Sequence, residues 1–89
     1  MIQVVRTSSF VRAYKRLLRG HPGLENLFKD KLQIFMGNPF DPSLRTHKLS
    51  GNLKECFAFS IDHHLRVVFR FAQSNIAMFE NIGSHDDVY

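Results

Sequence analysis

The 89-residue sequence has no Trp, a single Cys and no apolar run long enough to span a membrane. Each scarcity excludes something. One thiol cannot close an intramolecular disulfide and is too few for a cysteine-based zinc site, which suits a reducing compartment. Cys56 lies within an apolar run and reads as a small buried hydrophobe. A transmembrane helix needs roughly 20 consecutive apolar residues. The first residues also lack the charged-then-apolar order of a signal peptide, so the sequence predicts a soluble, intracellular, cytoplasmic protein. There is no phosphate-cradling glycine loop, no Ser-His-Asp set and no pair of His at helical ligand spacing. No metal and no cofactor are expected.

What remains favours a compact basic domain. Hydrophobic residues make up 44% of the chain and nine of them are Phe, enough for one core and one domain over residues 1–89. Lys and Arg number 12 against 8 Asp and Glu, with five His besides, for a net charge of +4. A basic surface this small attracts polyanions, nucleic acid first, or an acidic protein partner.

The order of elements can be read from periodicity. The β-branched run Ile2 to Arg6 predicts a strand, and Thr7, Ser8 and Ser9 offer helix N-caps. Phe10, Tyr14, Leu17 and Leu18 fall on one helical face, with Arg12, Lys15, Arg16 and Arg19 on the other, and Gly20 stops the helix. His21-Pro22-Gly23 opens a second helix, which carries Leu24, Leu27, Phe28, Ile34 and Phe35 and ends at Gly37-Asn38-Pro39. So short a link predicts an antiparallel helix hairpin. Residues 40–52 read as a loop. Strands follow at Leu53 to Ile61, Leu65 to Phe71 and Ile76 to Ile82, the first two joined by the turn Asp62-His63-His64. The expected fold is α+β, in the order β-α-α-β-β-β, with the hairpin on one face of a small, mainly antiparallel sheet.

Alternation in LRVVFRF sets Leu65, Val67, Phe69 and Phe71 on one face and Arg66, Val68 and Arg70 on the other. In the preceding strand the small residues Cys56, Ala58 and Ser60 share a face. Small side chains beside an Arg make a shallow concave site. Metal-free RNA cleavage needs a base for the 2′-OH, an acid for the leaving 5′-oxygen and cations for the charged phosphorane. His47, Lys48, Lys54, His64, Arg66, His85 and Tyr89 lie near loop and strand ends and supply those groups. Plainer roles are open to each. His85 can cap a turn, Arg66 can pair with Asp62 or Glu80, and His47 and Lys48 can belong to a solvated loop.

The stretch Thr46 to Phe71, followed by Asn81 to Tyr89, resembles the RelE/ParE toxin superfamily of toxin–antitoxin systems, and more narrowly its RelE/StbE and YafQ-like mRNA interferases. The markers are the KLSG loop (Lys48 to Gly51), the strand LRVVF (Leu65 to Phe69) and a closing Gly-x-His-x-x-x-Tyr (Gly83, His85, Tyr89). The resemblance covers essentially the whole chain. It implies a type II toxin that cuts messenger RNA without a metal, usually on the ribosome, and leaves a 2′,3′-cyclic phosphate and a 5′-OH. A cognate antitoxin protein would inhibit it.

Carried over position by position, the resemblance implies that Arg66 contacts the scissile phosphate and that His85 is a general acid or base. It implies that Tyr89 stacks on a base or assists catalysis, and that His47 matches a catalytic loop His. Lys48 and Lys54 fall in the region that holds RNA, and His64 and Arg70 are added as RNA contacts. Ser60 and His64 stand where YafQ-like toxins carry a His and an Asp, so the family's His-rich set is incomplete here. Two other functions share the fold: gyrase inhibition of the ParE type, and a toxin-fold binding module without catalysis. His85 and Tyr89 count against the first, while Ser60 and His64 leave room for the second.

Overall fold

The computed structural model describes residues 1–89. Strand β1 is Gln3–Arg6, followed by helices α1 (Ser8–Leu18) and α2 (Leu24–Gly37). Strands β2 (His47–Lys48), β3 (Phe57–Ser60), β4 (Leu65–Gln73) and β5 (Ile76–Ser84) come next, and a short helix α3 (His85–Val88) completes the chain. The strands form one sheet in the order β1-β5-β4-β3-β2, with β1 parallel to β5 and every other neighbour antiparallel. The α+β fold, the helix hairpin and the mainly antiparallel sheet all agree with the sequence reading. No helix is long and apolar enough to cross a membrane.

Local chemistry explains the helix ends. The Thr7 side chain accepts from the Phe10 backbone N–H and donates to the Phe79 carbonyl at 2.8 Å, so one residue both caps α1 and fastens it to β5. Gly23 takes φ +86° before α2, a conformation glycine adopts without strain.

The core lies between the helix hairpin and one sheet face. Phe10, Phe28, Phe35, Phe59, Phe69 and Phe79 are all buried there. The Phe35 ring lies 4.9 Å from Phe59, 4.9 Å from Phe69 and 5.2 Å from Phe79, centroid to centroid. Such offset and edge contacts add to the burial of apolar surface.

Three elements depart from the sequence reading. The strand expected over Leu53 to Ile61 is confined to Phe57–Ser60, because Gly51–Leu53 winds into a 3-10 turn. The stretch 40–52 is not all loop, because His47 and Lys48 pair with Ala58 and Phe57 to make β2. Beyond β5 the chain turns into α3, where a strand tail was expected. Val88 of α3, with Cys56 and Val68, forms a second small core flanked by Leu49 and Leu53. Val68 alternates with Val67 and Phe69 of the main core, so this second core occupies the opposite face of the sheet. That face carries the candidate site.

Candidate active site

Helix α3 is held against the sheet by a reciprocal cap. The Ser84 hydroxyl accepts from the Asp87 N–H at 3.3 Å, and the Asp87 carboxylate accepts from the Ser84 N–H at 3.2 Å. The turn folds back so closely on Gly83 that a Cβ there would meet the Asp87 Cβ at 2.8 Å. Within this single turn His85 and Tyr89 stand four residues apart, on one helical face. Their rings meet edge to face with centroids 4.4 Å apart.

Tyr89 also reaches across the sheet to β2. Its hydroxyl lies 3.3 Å from His47 Nε2. The other ring nitrogen of His47, Nδ1, lies 3.1 Å from the Arg45 carbonyl. If that carbonyl accepts from Nδ1–H, Nε2 bears the lone pair and accepts from the Tyr89 hydroxyl. Burial pushes the Tyr89 phenol above its usual pKa, and the nearby Arg66 guanidinium partly offsets the rise. Tyr89 thus keeps its proton at neutral pH and remains a donor.

Arg66 lies opposite Ser60 on β3 and Gly83 on β5. Its Nη1 donates to the carbonyls of Asp62 at 3.1 Å and His63 at 3.3 Å. These bonds curl the guanidinium over the hairpin turn and leave its other N–H groups for Tyr89 and a ligand. The Asp62 carboxylate accepts from the backbone N–H groups of His64 and Leu65, each at 2.8 Å. Burial raises that carboxyl, but the two backbone bonds, together with nearby His64 and His21, outweigh it and hold the pKa below the usual value.

Four residues named from sequence therefore converge. His47, His85 and Tyr89 share ring contacts, and Arg66 stands beside Tyr89. The other four are less central. Lys54 caps the 3-10 turn Gly51–Leu53, on the site's side of the sheet, and is exposed. His64 lies exposed in the hairpin turn that Arg66 clasps. Lys48 is opposite Phe57, so it points to the face away from His47. Arg70 shares a face with Arg66 but stands four residues along the strand, about 13 Å away. It is engaged there by Glu80 at 3.6 Å. The sequence reading overlooked Gly83 and Asp87 as positioning residues, although Ser84-x-x-Asp87 carries the pattern of a capping box. No three His, Cys, Asp or Glu side chains converge as a metal site would require.

Comparison with known proteins bears on this geometry. Residues 2–89 match a family described as bacterial toxin of type II toxin–antitoxin system, YafQ. A comparison with curated proteins gives no significant match. Among solved structures, YafQ from E. coli superposes with a TM-score of 0.83 at 14% identity, over 100% of this chain and 99% of that one. YafQ within the E. coli DinJ-YafQ toxin-antitoxin complex gives 0.80 at 14% identity, over 99% and 97% of the two chains. The YoeB/ParE toxin from Agrobacterium tumefaciens gives 0.77 at 18% identity, over 94% and 99%.

Proposed function

The chain belongs to the YafQ family of bacterial toxins from type II toxin–antitoxin systems, and we propose that it is an endoribonuclease that cleaves messenger RNA with its own side chains. The observation that carries this reading is the contact of His47 with Tyr89 and of Tyr89 with His85, beside Arg66. Two imidazoles and a guanidinium on one face supply an acid, a base and a cation for a phosphate.

The chemistry needs no other group. One imidazole takes the proton of the 2′-OH, and the 2′-oxygen attacks the adjacent phosphorus. Arg66 donates to the phosphorane oxygens as charge builds. The bond from phosphorus to the 5′-oxygen breaks, and the second imidazole, protonated, gives its proton to that oxygen. The products are a 2′,3′-cyclic phosphate and a 5′-OH. The Tyr89 hydroxyl orients His47, and its exposed ring offers a stacking surface to a base.

We propose the ribosome, in the cytoplasm, as the place of cleavage, since the family resemblance implies it. The partner proposed is a cognate antitoxin, in keeping with DinJ in the E. coli complex. Arg12, Lys15 and Arg16 on α1 and Arg19 at its C-cap are all exposed and suit an acidic antitoxin segment.

The test is inducible expression with mapping of the 5′ ends of cellular messenger RNA, alongside Arg66→Ala and His85→Ala. Cuts within coding regions that vanish in both folded variants support the nuclease. Growth arrest without cuts would overturn it and favour gyrase inhibition. A folded protein that gives neither arrest nor cuts would be a binding module.

A further inference from the structure

A second cationic concavity lies where Arg66 leaves the site just described. It is a cavity of about 230 Å³ whose lining includes Lys31, Ser43, Arg45, Ser60, His63 and Arg66. Its basic side chains come from four separate places: α2, the segment before β2, the hairpin turn and β4. The acidic residue at its rim is Asp62, whose carboxylate is already committed to the backbone N–H groups of His64 and Leu65. The Ser60 hydroxyl adds a neutral donor, while that of Ser43 already donates to the Asp41 carboxylate at 2.7 Å. Only one lining residue is hydrophobic, so the pocket suits an anion and not an apolar group.

Two residues join this pocket to the first site. Arg66 lines the pocket and also stands beside Tyr89. Arg45 lines the pocket, and its carbonyl meets His47 Nδ1 at 3.1 Å. Arg45 holds φ +53°, a left-handed conformation that a non-glycine residue adopts at a cost. In this structure, that backbone is the one from which the carbonyl meets the His47 ring in a residue that also lines the cavity.

We propose that the pocket is a second phosphate subsite, which takes the phosphodiester next to the one that is cleaved. The proposal rests on the nuclease reading for its substrate, a single RNA strand. Such a strand carries regularly spaced phosphates, and cations placed along its path fix its register. Arg66 then bridges two successive phosphates, with Lys31 and Arg45 closing on the second.

The test separates this subsite from catalysis. A fluorescein-labelled 2′-O-methyl oligoribonucleotide has no free 2′-OH to attack, so its binding is measured without cleavage. Anisotropy titrations across a salt series compare wild type with Lys31→Gln, Arg45→Gln and a control of equal charge change, Lys15→Gln. The two pocket variants are expected to bind more weakly and to flatten the slope of log affinity against log salt by about 0.7 each, the contribution of one phosphate on a single strand. Lys15→Gln is expected to keep the wild-type slope. Circular dichroism melts confirm that each variant is folded. Equal slopes in all four proteins would overturn the subsite. Wild type is assayed in parallel on unmodified RNA. Cleavage with equal slopes removes the subsite alone, whereas flattened slopes without cleavage remove the nuclease reading and keep the pocket as an RNA contact.

Discussion

The Tyr89 hydroxyl lies 3.3 Å from Nε2 of His47, forty-two positions earlier in the chain. Neither residue would find the other without the sheet between them. β2 presents His47 at one edge, and α3 brings Tyr89 back over Val68 to meet it. This hydrogen bond restrains the imidazole at the nitrogen that faces the site. The first consequence is for catalysis. His47→Ala is expected to lower kcat for RNA cleavage by about 10²–10⁴-fold, the usual contribution of a general acid or base. Tyr89→Phe keeps the ring and loses the hydroxyl. It is expected to cost about fivefold, the net worth of one hydrogen bond near 1 kcal/mol. The double variant should lose no more than His47→Ala alone, because the hydroxyl acts through that ring. Full additivity in steady-state kinetics would show that Tyr89 acts independently.

Gly83 is the second point of leverage. A methyl group there meets the Asp87 Cβ at 2.8 Å, in a place already buried. Gly83→Ala is expected to push α3 off the sheet, at a cost of about 1–3 kcal/mol in stability, as overpacking does. Cleavage should fall about as far as in His85→Ala, since both His85 and Tyr89 leave their places. Unchanged activity, with a melting temperature equal to that of wild type, would show that the turn relaxes freely.

The two tyrosines offer a direct electrostatic test, undisturbed by Trp. Burial raises both phenols above the ordinary value. At Tyr14 the Glu25 carboxylate adds to the rise and Arg6 opposes it, whereas at Tyr89 the opposing charge is Arg66. Arg66→Ala should therefore move one tyrosinate absorbance transition to higher pH and leave the other in place. The sign for stability follows. A folded-state pKa above the unfolded value of about 10 gives stability that is complete below that pH and is lost as pH rises through the folded value. Alkaline unfolding curves check this trend, and two unmoved transitions in Arg66→Ala would contradict the proximity of Arg66 to Tyr89.

Core packing supplies the fourth prediction. Phe35 is fully buried and touches three other Phe rings. Phe35→Ala should cost about 3–5 kcal/mol, a large share of the roughly 5–15 kcal/mol that holds a domain together. Chemical denaturation measures it directly. A loss as small as that of a surface substitution would mean that the aromatic cluster is looser than its geometry implies.

The sequence disclosed the main core well, because apolar spacing in α1, α2 and β4 is regular and each stripe faces the same interior. It disclosed faces better than positions along them. Arg66 and Arg70 both emerged on the site's face, yet alternation carries no information on the roughly 13 Å between them or on the Glu80 that engages Arg70. β2 was hidden because two residues show no period, and only pairing with Ala58 and Phe57 makes them a strand. That pairing turns Lys48 away from His47. α3 was hidden for a different reason. A single helical turn has too few residues for periodicity, and its evidence lay instead in the cap between Ser84 and Asp87 and in the four-residue step from His85 to Tyr89. The lining of the second pocket comes from elements distant in sequence, so it appeared only when the chain was folded.

The bond between Thr7 and Phe79 joins residues seventy-two positions apart, and β1 finds its only sheet partner in β5. During synthesis, β1 and the two helices emerge with no sheet to lie on. Long-range closures of this kind are slow, because loop entropy must be overcome before any contact rewards it. His85 and Tyr89 follow β5 directly, so a growing chain carries His47 and Arg66 for some time without their partners. The proposed nuclease site thus stays incomplete on a growing chain until β5 has threaded between β1 and β4, an interval in which the proposed antitoxin meets it unarmed.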